Sequence, residues 1–248
     1  MTKECQVSFY NDFKDSLCYP FKDSEWAAKL WPLPLITLVP AIGLLSVILL
    51  KGWRFEMVKR LSAGDVTLPP FNPVIMFKRG LLLWCAMTAH IFVPGILCAI
   101  LGIGGPIGFV QDLYQILANG FSDWAQSEPE DWAFSILIYF IWAIISFPVF
   151  QAGMIRYANS GDWKTLLNVA LNFALFVKYI HYFIKFYLSW LVLIVLIAVL
   201  DFALAITGFG ILLIPTVSIV GYYISSAYDL GVLAHKINSK EQNVQYSL

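Results

Sequence analysis

Long uncharged apolar runs alternate with short polar stretches along the chain. Leu30 to Leu50, Leu81 to Leu101 and Trp132 to Ala152 contain no Asp, Glu, Lys or Arg, and two later runs cover Phe186 to Ala205 and Phe209 to Ile224. A helix rises 1.5 Å per residue, so about 20 apolar residues reach across the ~30 Å hydrocarbon core of a bilayer. The pattern predicts an all-α, polytopic transmembrane helical bundle of five spans, or six if the stretch between Trp163 and Ala205 divides differently. Pro32 and Pro34 fall in the first turns of span one, whereas Pro40 and Gly43 fall in its middle and should bend it. A re-entrant hairpin bent at Pro40 is the competing reading of that run.

Two further segments read as interfacial amphipathic helices. Phe9, Tyr10, Phe13, Leu17 and Phe21 recur at helical spacing with Asn11, Asp12, Lys14 and Asp15 between them, and Pro20 closes the segment. Between Trp163 and Tyr179 the polar residues Lys164, Asn168 and Asn172 stand every fourth position on one helix face. The expected organisation is one integral membrane domain: residues 1–29 at the interface, 30–235 as the bundle and 236–248 as a polar tail. No basic start leads directly into an apolar run, so no cleavable signal peptide is expected.

Charge orients this scheme. The stretch from Lys51 to Arg79 carries Lys51, Arg54, Lys59, Arg60, Lys78 and Arg79 against Glu56 and Asp65, while Phe109 to Asp131 holds Asp112, Asp123, Glu128, Glu130 and Asp131 with no Lys or Arg. Basic loops stay on the cytoplasmic side, so residues 51–79 and 153–185 are expected there, in a plasma membrane or an internal bacterial membrane such as the thylakoid. Met57-Val58-Lys59 followed by Gly64-Asp65 matches Met154-Ile155-Arg156 followed by Gly161-Asp162 at one common offset. That match predicts a parallel internal repeat.

Composition agrees: 59% of residues are hydrophobic, 13% charged, and the mean hydropathy is +0.73, against about 25% charged in a soluble domain. The formal net charge of zero gives no field for nucleic acid. Motifs of zinc proteases, serine hydrolases, nucleotide-binding loops and dinucleotide folds are missing from the sequence. Cys5, Cys18, Cys85 and Cys98 show no Cys-x-x-Cys spacing.

Candidate functional residues follow from position. Arg54, Lys59, Arg60, Lys78 and Arg79 are candidates to grip anionic lipid or an acidic partner; enforcing topology is their plainer role. His90, midway along span two, is a candidate axial ligand for a haem or chlorin, or a proton relay, against the plainer reading of a hydrogen bond to a neighbouring helix. His181 and Lys185 at the start of span four are placed to snorkel, and Asp201 lies near its outer end.

The order of Cys18-Tyr-Pro-Phe-Lys-Asp23, an apolar run ending near Gly52 to Phe71, and a Lys78-Arg79-Gly80 lead into the next span resembles an uncharacterised family of bacterial and archaeal polytopic membrane proteins. Its recurring marks are the segment at Tyr19 to Asp23, and a Gly followed by Leu-Pro, here Gly64 and Leu68-Pro69; Pro70-Phe71 departs from its usual continuation. The resemblance implies the architecture and no activity. The expectation is a non-catalytic accessory, scaffold or assembly subunit that binds other membrane proteins and anionic lipid, without a cofactor. The alternative is a small-solute channel or permease with a polar cavity lined by His90, Asn168, Asn172 or Asp201. A lipid-modifying enzyme is the third class.

Overall fold

The computed structural model describes residues 9–37, 43–100, 129–208, 210 and 213–245, and the chain divides into two compact units, residues 1–84 with 151–248, and residues 85–150. Among the described residues every regular element is a helix. They are α1 (Phe9–Cys18), α2 (Trp26–Leu30), α3 (Pro32–Thr37), α4 (Gly43–Ser62), α5 (Pro73–Ile100), α6 (Pro129–Ser160), α7 (Val169–Lys178), α8 (Ile180–Ile206) and α9 (Ile214–Gln245). Two tight 3-10 turns, Tyr19–Lys22 and Trp163–Leu166, join α1 to α2 and α6 to α7.

One expectation is corrected by this architecture. The basic stretch 51–79 is mostly helix, because nothing after Gly52 breaks α4 before Ser62, and α5 has already begun at Pro73. Only residues 63–72 form the loop. Within the run from Leu30 to Leu50 the described residues form α3 to Thr37 and α4 from Gly43, and residues 38–42, with Pro40 and the bend expected there, lie outside those described. The polar tail from residue 236 continues α9 to Gln245, with no Gly or Pro to interrupt it. The acidic segment 109–131 and the glycines from Gly102 to Gly108 fall largely on residues outside those described, as does Cys5.

In the larger unit α4 is the central helix. Trp53, Phe55, Met57 and Val58 are almost fully buried on successive faces, together with Met154 and Ile155 of α6, Phe183 of α8 and Leu230 and Ala234 of α9. Two glycines set the α4–α5 hairpin. A methyl group at Gly52 would collide with the Met76 carbonyl, and one at Gly80 with the Ile48 carbonyl. Backbone therefore meets backbone, the close approach that small residues permit between helices.

Each end of the 63–72 loop has a defined chemical cause. Gly64 takes φ 85°; its amide donates to the Leu61 carbonyl and the Asp65 amide to the Arg60 carbonyl, the paired bonds of a Schellman stop. At the far end Asn72 caps α5, its side chain accepting from the Ile75 amide at 3.2 Å. The end of α6 is similar: Gly161 takes φ 72° and its amide donates to the Tyr157 carbonyl.

Among the described residues, the smaller unit comprises the later turns of α5 and the earlier turns of α6. Trp142 Nε1 donates to the His90 carbonyl at 2.7 Å. Phe92, Ile96, Ile100, Leu137, Phe140 and Ile144 are exposed apolar residues in it.

Candidate functional site

The five basic residues expected to meet anionic lipid or a partner divide into two groups. Arg54 is buried, and its Nη2 donates to Gln151 Oε1 of α6 at 3.5 Å; its Nε finds no acceptor among the described residues. Arg79 pairs with Glu56 and lies 5.8 Å from the centre of the Phe55 ring. Arg60 is half-exposed and donates to Asp65 at 3.2 Å and Thr67 at 3.0 Å. Lys59 and Lys78 are exposed. The sequence could not separate these groups, because the difference arises from packing: Arg54 lies on a buried side of α4 and Arg79 of α5 meets Glu56 of α4, whereas Lys59 and Lys78 lie on exposed faces.

A carboxylate that charge counting passed over organises the loop. Asp23, with only 6% of its side chain exposed, accepts from Lys29 Nζ at 2.8 Å, from the Glu25 amide at 2.8 Å and from the Leu68 amide at 2.9 Å. The segment at Tyr19 to Asp23 and the Leu68-Pro69 step are thus in direct contact. Pro69 also contributes, its carbonyl accepting from Trp53 Nε1 at 3.4 Å. The hydrogen bond from Lys29 is the main cause that holds the Asp23 carboxyl below the usual carboxylate value, and burial opposes it. Lys29 is raised in turn, first by that bond. Asp65 is lowered by the Thr67 amide and hydroxyl, and more weakly by Arg60. Tyr19 is buried against Tyr228, ring centres 4.7 Å apart, and burial pushes its hydroxyl upward.

The polar residues of the apolar runs are scattered rather than gathered. His90 is 5% exposed, its ring edge against Phe150 at 5.7 Å. Among the described residues it belongs to no cluster of three or more metal-ligating side chains. His181 is exposed with its ring against Tyr182. Lys185 lines a small cleft between α8 and α9, where Ser189 donates to Asp229 at 2.7 Å. Asp201 accepts from Ser218 of α9.

Asn168 and Asn172, the polar stripe of the Trp163 to Tyr179 stretch, have separate tasks. Asn168 caps α7, accepting from the Leu171 amide at 3.1 Å. Asn172 is fully buried: its Nδ2 donates to the Thr165 and Leu166 carbonyls, and its Oδ1 accepts from Arg156 Nη1 at 2.9 Å. Beside Arg156 a cleft of about 260 Å3 opens between α6, α7 and α9. The four-residue spacing was visible in the sequence; that one of the two asparagines holds an arginine was not.

Among the described residues the protein is all-helical, and two of its helices, Phe140–Ser160 within α6 and Ile180–Ile206, are long and apolar enough to cross a membrane. The chain belongs to the family described as "Protein of unknown function (DUF4013)", whose sequence model matches residues 35–209. The Tyr19 to Asp23 segment precedes the matched region. No curated protein and no solved structure matches the chain.

Proposed function

We propose that this chain is an integral membrane protein without catalytic activity, an accessory or assembly subunit that binds other membrane proteins and anionic lipid. The observation that carries the reading is α8. Its 27 residues, Ile180–Ile206, include a long apolar window of which only 11% is buried by the rest of the chain. Leu188, Leu191, Val195, Val199 and Phe202 are exposed along it. Uncovered apolar surface on that scale is favoured only in hydrocarbon or against a partner.

The spacing of the two inner helix ends supports a parallel repeat. Gly64 and Gly161 both take positive φ, and the Asp after each accepts from the amide two residues on, Thr67 at 2.9 Å and Lys164 at 3.0 Å. Of the basic set, Lys59 and Lys78 are the exposed residues that would meet lipid headgroups. A channel would need its polar side chains to face a shared path, whereas Asn172 and Asp201 are each engaged with neighbouring side chains or carbonyls.

Two measurements test the proposal. Single cysteines placed near Met57 and near Glu128 should be labelled from opposite sides of the membrane; labelling from a shared side would defeat the topology. Purification in mild detergent should bring down other membrane proteins in fixed ratio. A lone monodisperse protein that moves a solute across liposomes would defeat the subunit role.

A further inference from the structure

The cleft between α6, α7 and α9 is lined by Arg156, Leu171, Ala174, Leu175, Lys178 and Glu241. We propose that it binds a phosphodiester, with Arg156 and Lys178 taking its oxygens and the three α7 residues taking the first carbons of its ester chains.

Four observations lead there. First, Arg156 is held in place: buried Asn172 accepts one of its N–H groups at 2.9 Å and is itself fixed by the Thr165 and Leu166 carbonyls. Gly153 makes room for this anchor, since a Cβ there would come within 2.7 Å of Asn172 Nδ2. A guanidinium has five N–H donors in a rigid fork, so an arginine anchored at one end presents the remainder in a set direction. Second, Lys178 meets Glu241 at 3.2 Å, with 60% and 47% of the two side chains exposed. Such a surface pair is weak and exchanges readily for a better anion. Third, two cations and one carboxylate leave one net positive charge, which suits a singly charged phosphodiester better than a dianion. Fourth, Leu171, Ala174 and Leu175 follow i, i+3, i+4 spacing and make one apolar wall directly beside the basic rim. Charge beside hydrocarbon is the chemistry of a phospholipid at its glycerol level, while charge alone would serve free phosphate equally.

The phosphate group is the shared chemistry; the membrane reading bears only on its source. The test uses the full chain in a neutral detergent, titrated separately with short-chain phosphatidylglycerol, short-chain phosphatidylcholine and inorganic phosphate. Wild type is compared with Arg156→Gln, Lys178→Gln, their double variant and Lys22→Gln, an exposed cation away from the cleft, as a surface control. Each cleft substitution should weaken phosphatidylglycerol binding about fivefold, with Lys22→Gln unchanged, in keeping with the modest contribution of one basic residue. Asn172→Ala should weaken binding through Arg156. Should that variant unfold, Arg156→Lys keeps the charge without the fork and should lie between wild type and Arg156→Gln. Inorganic phosphate bound with the same dependence on Arg156 and Lys178 would assign the site to a soluble phosphate. Equal binding of phosphatidylcholine, or a double variant that binds like wild type, would overturn the proposal. Neither result would alter co-purification of partners, so the two proposals fail separately.

Discussion

Arg54 of α4 and Gln151 of α6 are hydrogen-bonded side chain to side chain across 97 positions of sequence, the same separation that relates Met57 to Met154 and Gly64 to Gly161. If the repeat proposed above holds, equivalent positions meet here at the centre of the larger unit. A buried guanidinium is destabilising unless its hydrogen bonds are met. Gln151→Leu should therefore lower stability by about 2 kcal/mol, as expected for a lost hydrogen bond to a charged group. Arg54→Met with Gln151→Leu should recover much of that loss, because the orphaned charge goes too. Thermal unfolding of the two single variants and the double variant in detergent checks this; additive losses would show that the two side chains do not depend on each other.

The Asp23 network predicts a defined pH window. Its carboxyl is held below the ordinary value of 3.8, so its contribution is present above that pH and is lost as pH falls through the lowered value. Lys29 is held above 10.5, so its contribution is present below that pH and is lost as pH rises past it. Between these limits the contact should be insensitive to pH. The protection factor of the Leu68 amide, its exchange rate set against the intrinsic rate at each pH, should stay constant across the window and fall in acid, and Asp23→Ala should lower it throughout the window.

Helix spacing at the α4–α5 hairpin leaves no room for a methyl group. Gly52→Ala and Gly80→Ala both direct a Cβ into backbone carbonyls, which cannot rotate away. Each should reduce the yield of monodisperse protein severely, beyond the roughly 1–3 kcal/mol typical of overpacking by a flexible side chain. Gly221→Ala is the contrast, because the nearest atom to its Cβ would be Ile197 Cδ1 at 4.0 Å. It should be neutral or slightly stabilising, since alanine favours a helix interior by up to ~1 kcal/mol. Size-exclusion profiles of the three variants provide the comparison.

Gly64 and Gly161 should respond differently from the hairpin glycines. Their Cβ positions are uncrowded, with nothing within 4 Å of Gly161 and only the His235 ring near Gly64. What a side chain meets there is the positive φ of the backbone, a penalty of about 1 kcal/mol. Gly161→Asn should be milder than Gly161→Ala in thermal unfolding, because asparagine tolerates that region.

How much of this could be read from the sequence depended on whether local order or packing decided the outcome. The helical class and the end of α1 before Pro20 follow from apolar runs and proline chemistry, which act over a few residues. The basic stretch was harder: its charges invited the reading of a loop, yet α4 continues through Lys51, Arg54 and Arg60 because the helix lies in the core. The candidate cations were visible as a group. Which of them stay exposed depends on Glu56, Asp65 and Gln151, and the last of these comes from a distant helix. Asp23 does not stand out in the sequence, since one acid among Lys22, Lys29 and Glu25 carries no local signal of a bond to residue 68.

That bond has a consequence for anyone comparing relatives. Asp23 is satisfied by a main-chain amide, which every residue except proline supplies at position 68. Pairwise covariation between positions 23 and 68 should therefore be silent even though the loop depends on their meeting, and contact inference from aligned sequences would miss the tether.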